Sequence, residues 1–390
     1  MITLPIDLMI VFCGPFWLIE GGLFDIGYQY ALFMNNIMTL AQVAGAFFFL
    51  SLSKLFCAYK YIPFKKVILG VKSLKYSSNI FFFLFLLNLL AVASAEFGVL
   101  NWLINPRQGY QLYRAGQGHW YILANSTLAV SFVLALLAKP NAKSMLLTTV
   151  VYLFFGYFLG SKSVLLAMFI TTLVFLWFIR WHHLGKIVII GTPIVFSLMI
   201  LNLYLALGDG IELQSLVTYF DHYKNGADYY RAYLNHEINL FYGDVFFSSL
   251  WSYVPRAFYS EKPWVYGITI INEIFYPGQA ELTNTPAFGG GVEQFADFGI
   301  FGVIIFGFFS SKAILTGIIS DFIFRKPGTT LKHITLPTVM LMLIQYAPGF
   351  GGFLPSGLYI LLLVMILLLL RIMASFYKSR ISTLPIKSII

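Results

Sequence analysis

Charge is what this chain has least of. Only 11% of its 390 residues are Asp, Glu, Lys or Arg, against about a quarter in a soluble domain, and that excludes an ordinary water-soluble globule. Cysteine is nearly missing as well. Cys13 and Cys57 are the two, both within or beside apolar runs. They give neither a disulfide framework nor a metal-ligand spacing, and read as buried thiols. No HExxH, GxSxG or Walker A sequence occurs, and no paired acidic motif. Zincin, serine-hydrolase and P-loop chemistry are therefore excluded, and no metal or cofactor is expected. Internal repeats and Pro/Ser-rich linkers are also missing. The N-terminus has no basic n-region and no small-residue cleavage site, so it reads as a retained first span.

Apolar residues are abundant, at 59% of the chain, with a mean hydropathy of +0.81. They come in runs such as Ile80–Val92, Met145–Leu159 and Leu358–Leu370. A bilayer core about 30 Å thick needs roughly 20 apolar residues per helix. The expectation is an all-α polytopic membrane protein of about ten spans, over 4–23, 36–57, 79–103, 120–138, 144–160, 163–179, 187–206, 298–320, 334–348 and 357–374. These group into an N-terminal transmembrane region (1–206), a large outer loop (207–297) and a C-terminal transmembrane region with a tail (298–390).

In that arrangement 17 of the 25 Lys and Arg residues fall on one side, including Lys60, Lys65, Lys66, Lys139, Arg180, Lys186, Arg325 and the tail cations. By the positive-inside rule that side is cytoplasmic and holds both termini. The outer loop carries 11 of the 16 acidic residues. Leu216, Tyr219, Phe220 and Tyr223 recur there at helical spacing, which predicts short amphipathic helices along the outer membrane face.

The outward cations stand in distinctive settings. "NPRQGYQLYRAGQGHWY" carries Arg107 and Arg114, and "FLGSKSVLL" puts Lys162 in a tight turn between two apolar helices. Arg231 and then Arg256 and Lys262 come from the long loop, the last two in the Pro-bounded "VPRAFYSEKP". A lysine between apolar helices is costly to desolvate unless an anion meets it; the alternative is that it snorkels to the headgroups. Cations gathered at the outer surface suit a phosphate-bearing ligand with a lipid tail. "TPAFGGGVEQFADFGIFG" then brings Glu293 to the membrane boundary. Glu293 is a candidate general base, or else a helix cap or arginine partner. Asp297 reads as a first-turn dipole partner of the eighth span. His236, in "YLNHEINLF", is a second candidate base, with a structural role as the alternative.

"LGSKS" between two spans, the long outer loop, "VPRAFYSEKPWVYG" and "TPAFGGGVEQFADFGIFG" together resemble the Wzy-type O-antigen (oligosaccharide repeat-unit) polymerases of Gram-negative bacteria. Members more usually carry Arg in the G-S-x-S turn where this chain has Lys162. The resemblance implies a membrane-embedded, GT-C-like glycosyltransferase of the bacterial inner membrane with its active site facing the periplasm. Donor and acceptor would both be oligosaccharides linked to undecaprenyl diphosphate, within the lipid bilayer. The family typically works with a chain-length-regulating membrane protein, and no nucleic-acid partner is implied. Arg256, Lys162, Arg231, Arg114, Lys262 and Arg107 would hold the diphosphate, and Glu293 or His236 would serve the acceptor. Two rival readings are a lipid-linked oligosaccharide flippase, which would place its charges near the midplane, and an O-antigen ligase, which differs in its acceptor.

Overall fold

The computed structural model describes residues 25–58, 71–96, 98–112, 118–139, 141–178, 183–207, 223–254, 259–279 and 286–310, with 313, 314, 317, 349, 350, 354 and 355. The spans expected over 4–23, 334–348 and 357–374 lie outside the described residues. The described structure is helical apart from a two-residue antiparallel ladder that pairs Gly349 with Pro355 and Phe350 with Leu354. Among the described residues four helices are long and apolar enough to cross a membrane: Ile26–Leu52, Leu74–Ala95, Gly118–Leu137 and Leu184–Asn202. The chain divides into two compact units: Met1–Tyr61 with Leu207–Arg325 and Pro348–Ser356, and Ile62–Ala206 with Lys326–Ala347 and Gly357–Ile390.

In the first unit, α1 (Ile26–Ala58) starts well before the apolar run predicted from 36. The reason is Asp25, whose carboxylate accepts the Tyr28 N–H at 3.1 Å and so caps an amide that has no partner within the helix. Crossing this start is α9 (Tyr223–Leu234), whose buried Tyr229 and Tyr230 join Tyr28, Met34 and Phe295 in one core. Tyr230 and Tyr233 both meet Phe295 edge-on, at 5.1 and 5.0 Å between ring centroids.

The last long element of this unit is α12 (Val292–Phe308), which lies along α1. A Cβ on Gly45 would overlap the Phe308 carbonyl, so glycine there lets the two backbones approach. The span expected over 298–320 therefore begins earlier, and it is interrupted at Gly299 (φ 60°, ψ −146°), a conformation open to glycine. Asp297 is not the first-turn dipole partner predicted. It lies fully buried in the second turn and accepts the backbone N–H groups of Gly243, Val245 and Phe246 at 3.0, 3.1 and 2.6 Å. Those amides open α10 (Asp244–Ser248), so the carboxylate caps a different helix. The Ala296 carbonyl adds a bond from the Phe241 N–H at 2.8 Å.

In the second unit, α2 (Val71–Glu96) packs lengthwise on α5 (Gly118–Leu137). Leu128, Phe132, Val133, Leu134 and Leu136 of α5 have no exposed surface at all. α6 (Ala142–Tyr157) and α7 (Lys162–Phe178) complete the cluster. Apolar contact between helices gains little over apolar contact with lipid, so packing and interhelical hydrogen bonds must hold such a bundle. Buried hydroxyls do this. Tyr152 lies 2.6 Å from Ser131 Oγ and 3.2 Å from Ser78 Oγ, and Ser131 Oγ donates to the Ser78 carbonyl at 2.7 Å. Thr149 and Thr172 pair at 2.8 Å. The third expected span, 79–103, stops at Glu96. Gly98 (φ 83°) turns the chain into two short helices, α3 (Val99–Ile104) and α4 (Pro106–Leu112). α8 (Leu184–Leu207) closes the unit, with Ile189, Ile190 and Ile194 exposed along it.

Candidate functional site

The turn between α6 and α7 is built carbonyl by carbonyl. Gly160 takes a positive φ of 64°, which lets the chain reverse within a few residues. The buried Trp102 donates its indole N–H to the Phe158 carbonyl at 2.7 Å, and Tyr121 donates its hydroxyl to the Leu159 carbonyl at 3.1 Å. Arg107 reaches the Gly160 carbonyl at 3.4 Å. Ser161 and Ser163 hydroxyls pair at 2.8 Å, and Lys162 is the first residue of α7.

Carbonyls on one edge of the turn are thus engaged by α3, α4 and α5, while α7 opens with its positive dipole end. Lys162 precedes the apolar run that starts at Val164. Its ammonium is pushed down to about 8, first by burial and then by the charge of Arg107. Two cations and a helix N-terminus of like sign therefore adjoin in one turn, an arrangement that an anion would relieve.

The other predicted site residues of the described structure belong to the first unit, and their partners differ. Arg231 donates to Asp25 and Asp228, each at 2.9 Å. Its side chain is 42% exposed, and those two bonds use two of its five N–H donors. The pair with Asp25 pins α9 to the start of α1.

Lys262 is buried. Its ammonium donates to the Val254 carbonyl at 3.1 Å and lies 4.5 Å from the centre of the Tyr266 ring. Glu293 stands in the first turn of α12, half-buried, where the helix dipole favours a carboxylate. The glycine loop before it is held by Tyr230, whose hydroxyl donates to the Gly290 carbonyl at 2.6 Å, and by Asn225, whose amide donates to the Ala287 carbonyl at 2.9 Å. Gly290 (φ 72°) passes so close to Ala31 that a Cβ would sit 2.8 Å from it.

His236 is exposed and has a positive φ of 59°. Its N–H bonds the Tyr233 carbonyl, and the Glu237 N–H bonds the Ala232 carbonyl at 2.9 Å. That pair of bonds is a Schellman motif with histidine at the left-handed position that ends α9. Arg114 and Arg256 lie outside the described residues.

The structure thus brings Arg107 and Lys162 together in one unit. In the other it gives Arg231, Lys262, Glu293 and His236 separate settings. Asp25, Trp102 and Tyr121 were missed in the sequence. Asp25 is 206 positions from its arginine, and the other two look like ordinary apolar-run aromatics. Among the described residues no three His, Cys, Asp or Glu side chains are grouped as metal ligands would be.

Over 274 residues the chain is 23% identical to the O-antigen polymerase of Salmonella typhimurium, and to that of Salmonella typhi to the same degree. At that identity the similarity is a distant one. The match takes in 68% of this chain and 65% of the length of each relative. No family model matches the chain, and no solved structure matches it. The relationship agrees with the resemblance carried by "LGSKS" and "VPRAFYSEKPWVYG". Together with the apolar helices it makes this an integral membrane protein.

Proposed function

We propose that this protein is a polysaccharide polymerase of the bacterial inner membrane, working at the periplasmic face. It transfers a growing glycan from undecaprenyl diphosphate to a repeat unit carried on a second undecaprenyl diphosphate. An acceptor hydroxyl oxygen bonds to the donor's anomeric carbon as the bond from that carbon to the phosphate oxygen breaks. The hydroxyl proton passes to Glu293, and negative charge develops on the departing lipid diphosphate. Arg107 and Lys162, with Arg114 and Arg256, stabilise that charge where it forms. Preset donors of this kind supply about 3–4 kcal/mol each in well-studied sites. Holding two lipid-tethered substrates together lowers the entropic part of the barrier.

One observation carries the reading beyond the names of the relatives. A half-buried lysine opens a helix beside an arginine, in a turn whose carbonyls are already taken. Such a site favours an anion. The deciding experiment incubates purified protein with a defined undecaprenyl-diphosphate oligosaccharide, with and without EDTA. A ladder of lengthening lipid-linked glycans in both arms is the expected result. Unextended substrate in both arms, from folded protein, overturns the proposal.

A further inference from the structure

We infer that Lys262 is a positioning residue that ties together the segments before and after Arg256. This deepens the polymerase reading and changes the role of a residue that sequence alone put on the diphosphate. Lysine is almost never fully buried unless paired, yet Lys262 is only 8% exposed. Its ammonium spans the loop: it donates to the Val254 carbonyl at 3.1 Å, eight positions back in the chain. It also packs over the Tyr266 ring, four positions ahead, a cation–π contact that strengthens when water is excluded.

Three further contacts fix the same frame. Trp251 and Tyr259 stack nearly parallel, 16° apart with centroids at 5.7 Å. The Lys262 N–H bonds the Tyr259 carbonyl at 3.3 Å. The Gly267 N–H bonds Ser248 Oγ at 2.9 Å. Residues before and after 255–258 are therefore tied at three levels, with a charged side chain as the innermost tie. A cation engaged by a carbonyl and a ring is placed for holding a frame, and Arg256 falls between the tied segments in the sequence.

Trypsin reads the tie without reference to activity. It cuts after Arg256 but not after Lys262, which precedes Pro263, so replacing Lys262 removes no cleavage site. In full-length protein in detergent, Lys262→Met should speed cleavage after Arg256 about ten-fold, the effect of losing one charged hydrogen bond. Lys262→Arg, which can still donate and stack, should restore slow cleavage. With the lipid-linked oligosaccharide, Lys262→Met should lower kcat with little change in KM, and Lys262→Arg should recover it. Should Lys262→Met fail to accumulate, Tyr266→Leu gives the same readout at about three-fold faster cleavage.

Wild-type cleavage rates in Lys262→Met, or in Tyr266→Leu where that variant replaces it, overturn the inference. So does a Lys262→Arg variant as labile as Lys262→Met. Absence of glycan polymerisation by the wild type would refute the polymerase reading alone, because the cleavage rates stand apart from it.

Discussion

The cations of the two units are of different kinds. Around Gly160, Arg107 and Lys162 adjoin each other at the start of a helix, and like charge is part of what depresses the lysine. In the other unit, Arg231 is matched by two carboxylates and Lys262 by a carbonyl and an aromatic face. All four look alike in sequence: basic residues in aromatic, glycine-rich surroundings beside apolar runs. A cation with its own carboxylates braces the fold. Two cations close enough to repel each other are stabilised by a nearby anion.

The largest expected effect tests Arg256. Arg256→Ala should abolish long glycan chains and leave single-repeat products, read as a ladder on a gel; normal ladders at normal protein level would remove this arginine from the proposed site. Next comes the pair in the second unit. Lys162→Met should cut turnover by about 10²-fold, while Lys162→Arg should keep it. A lysine pushed down to about 8 stays mostly charged at pH 7 and loses its proton as pH rises through 8. Diphosphate binding and turnover should therefore fall above pH 8 in the wild type. In Lys162→Arg, which stays charged throughout, that limb should vanish from the pH profile.

Smaller effects sharpen the contrast from the other side. Asp297→Asn leaves three backbone amides facing a weaker acceptor, and should destabilise the protein by about 1–3 kcal/mol in a thermal or denaturant melt. Arg231→Met should cost about 0.5–1 kcal/mol of stability, as partly exposed ion pairs do, and should leave turnover within a few-fold of wild type. A loss as large as that of Lys162→Met would make Arg231 a ligand contact and erase the distinction drawn here. His236→Gly should be neutral or slightly stabilising, because glycine enters the left-handed conformation without penalty. Loss of turnover with an unchanged melt would instead restore His236 as a catalytic base.

The helices were legible in the sequence because hydropathy reports directly on the bilayer. Their ends were less so, since polar caps such as Asp25 and breaks such as Gly98 and Gly299 act through geometry that hydropathy averages away. The chemistry of the candidate site was legible as residue types. What marks a bracing cation is the identity of its partner. Asp25 lies 206 positions from Arg231, and no local pattern announces such a pair. The Val254 carbonyl under Lys262 is nearby in sequence, but every residue has a carbonyl and nothing marks this one.

Asp297 has a practical consequence for engineering chimaeric proteins from this one and its relatives. The surface segment 241–246 hangs from a carboxylate and a carbonyl inside α12. A graft that ends before residue 296 would exchange the amides and leave their acceptors behind. Donor segments must therefore be cut so that the loop and helix 292–308 travel as one piece.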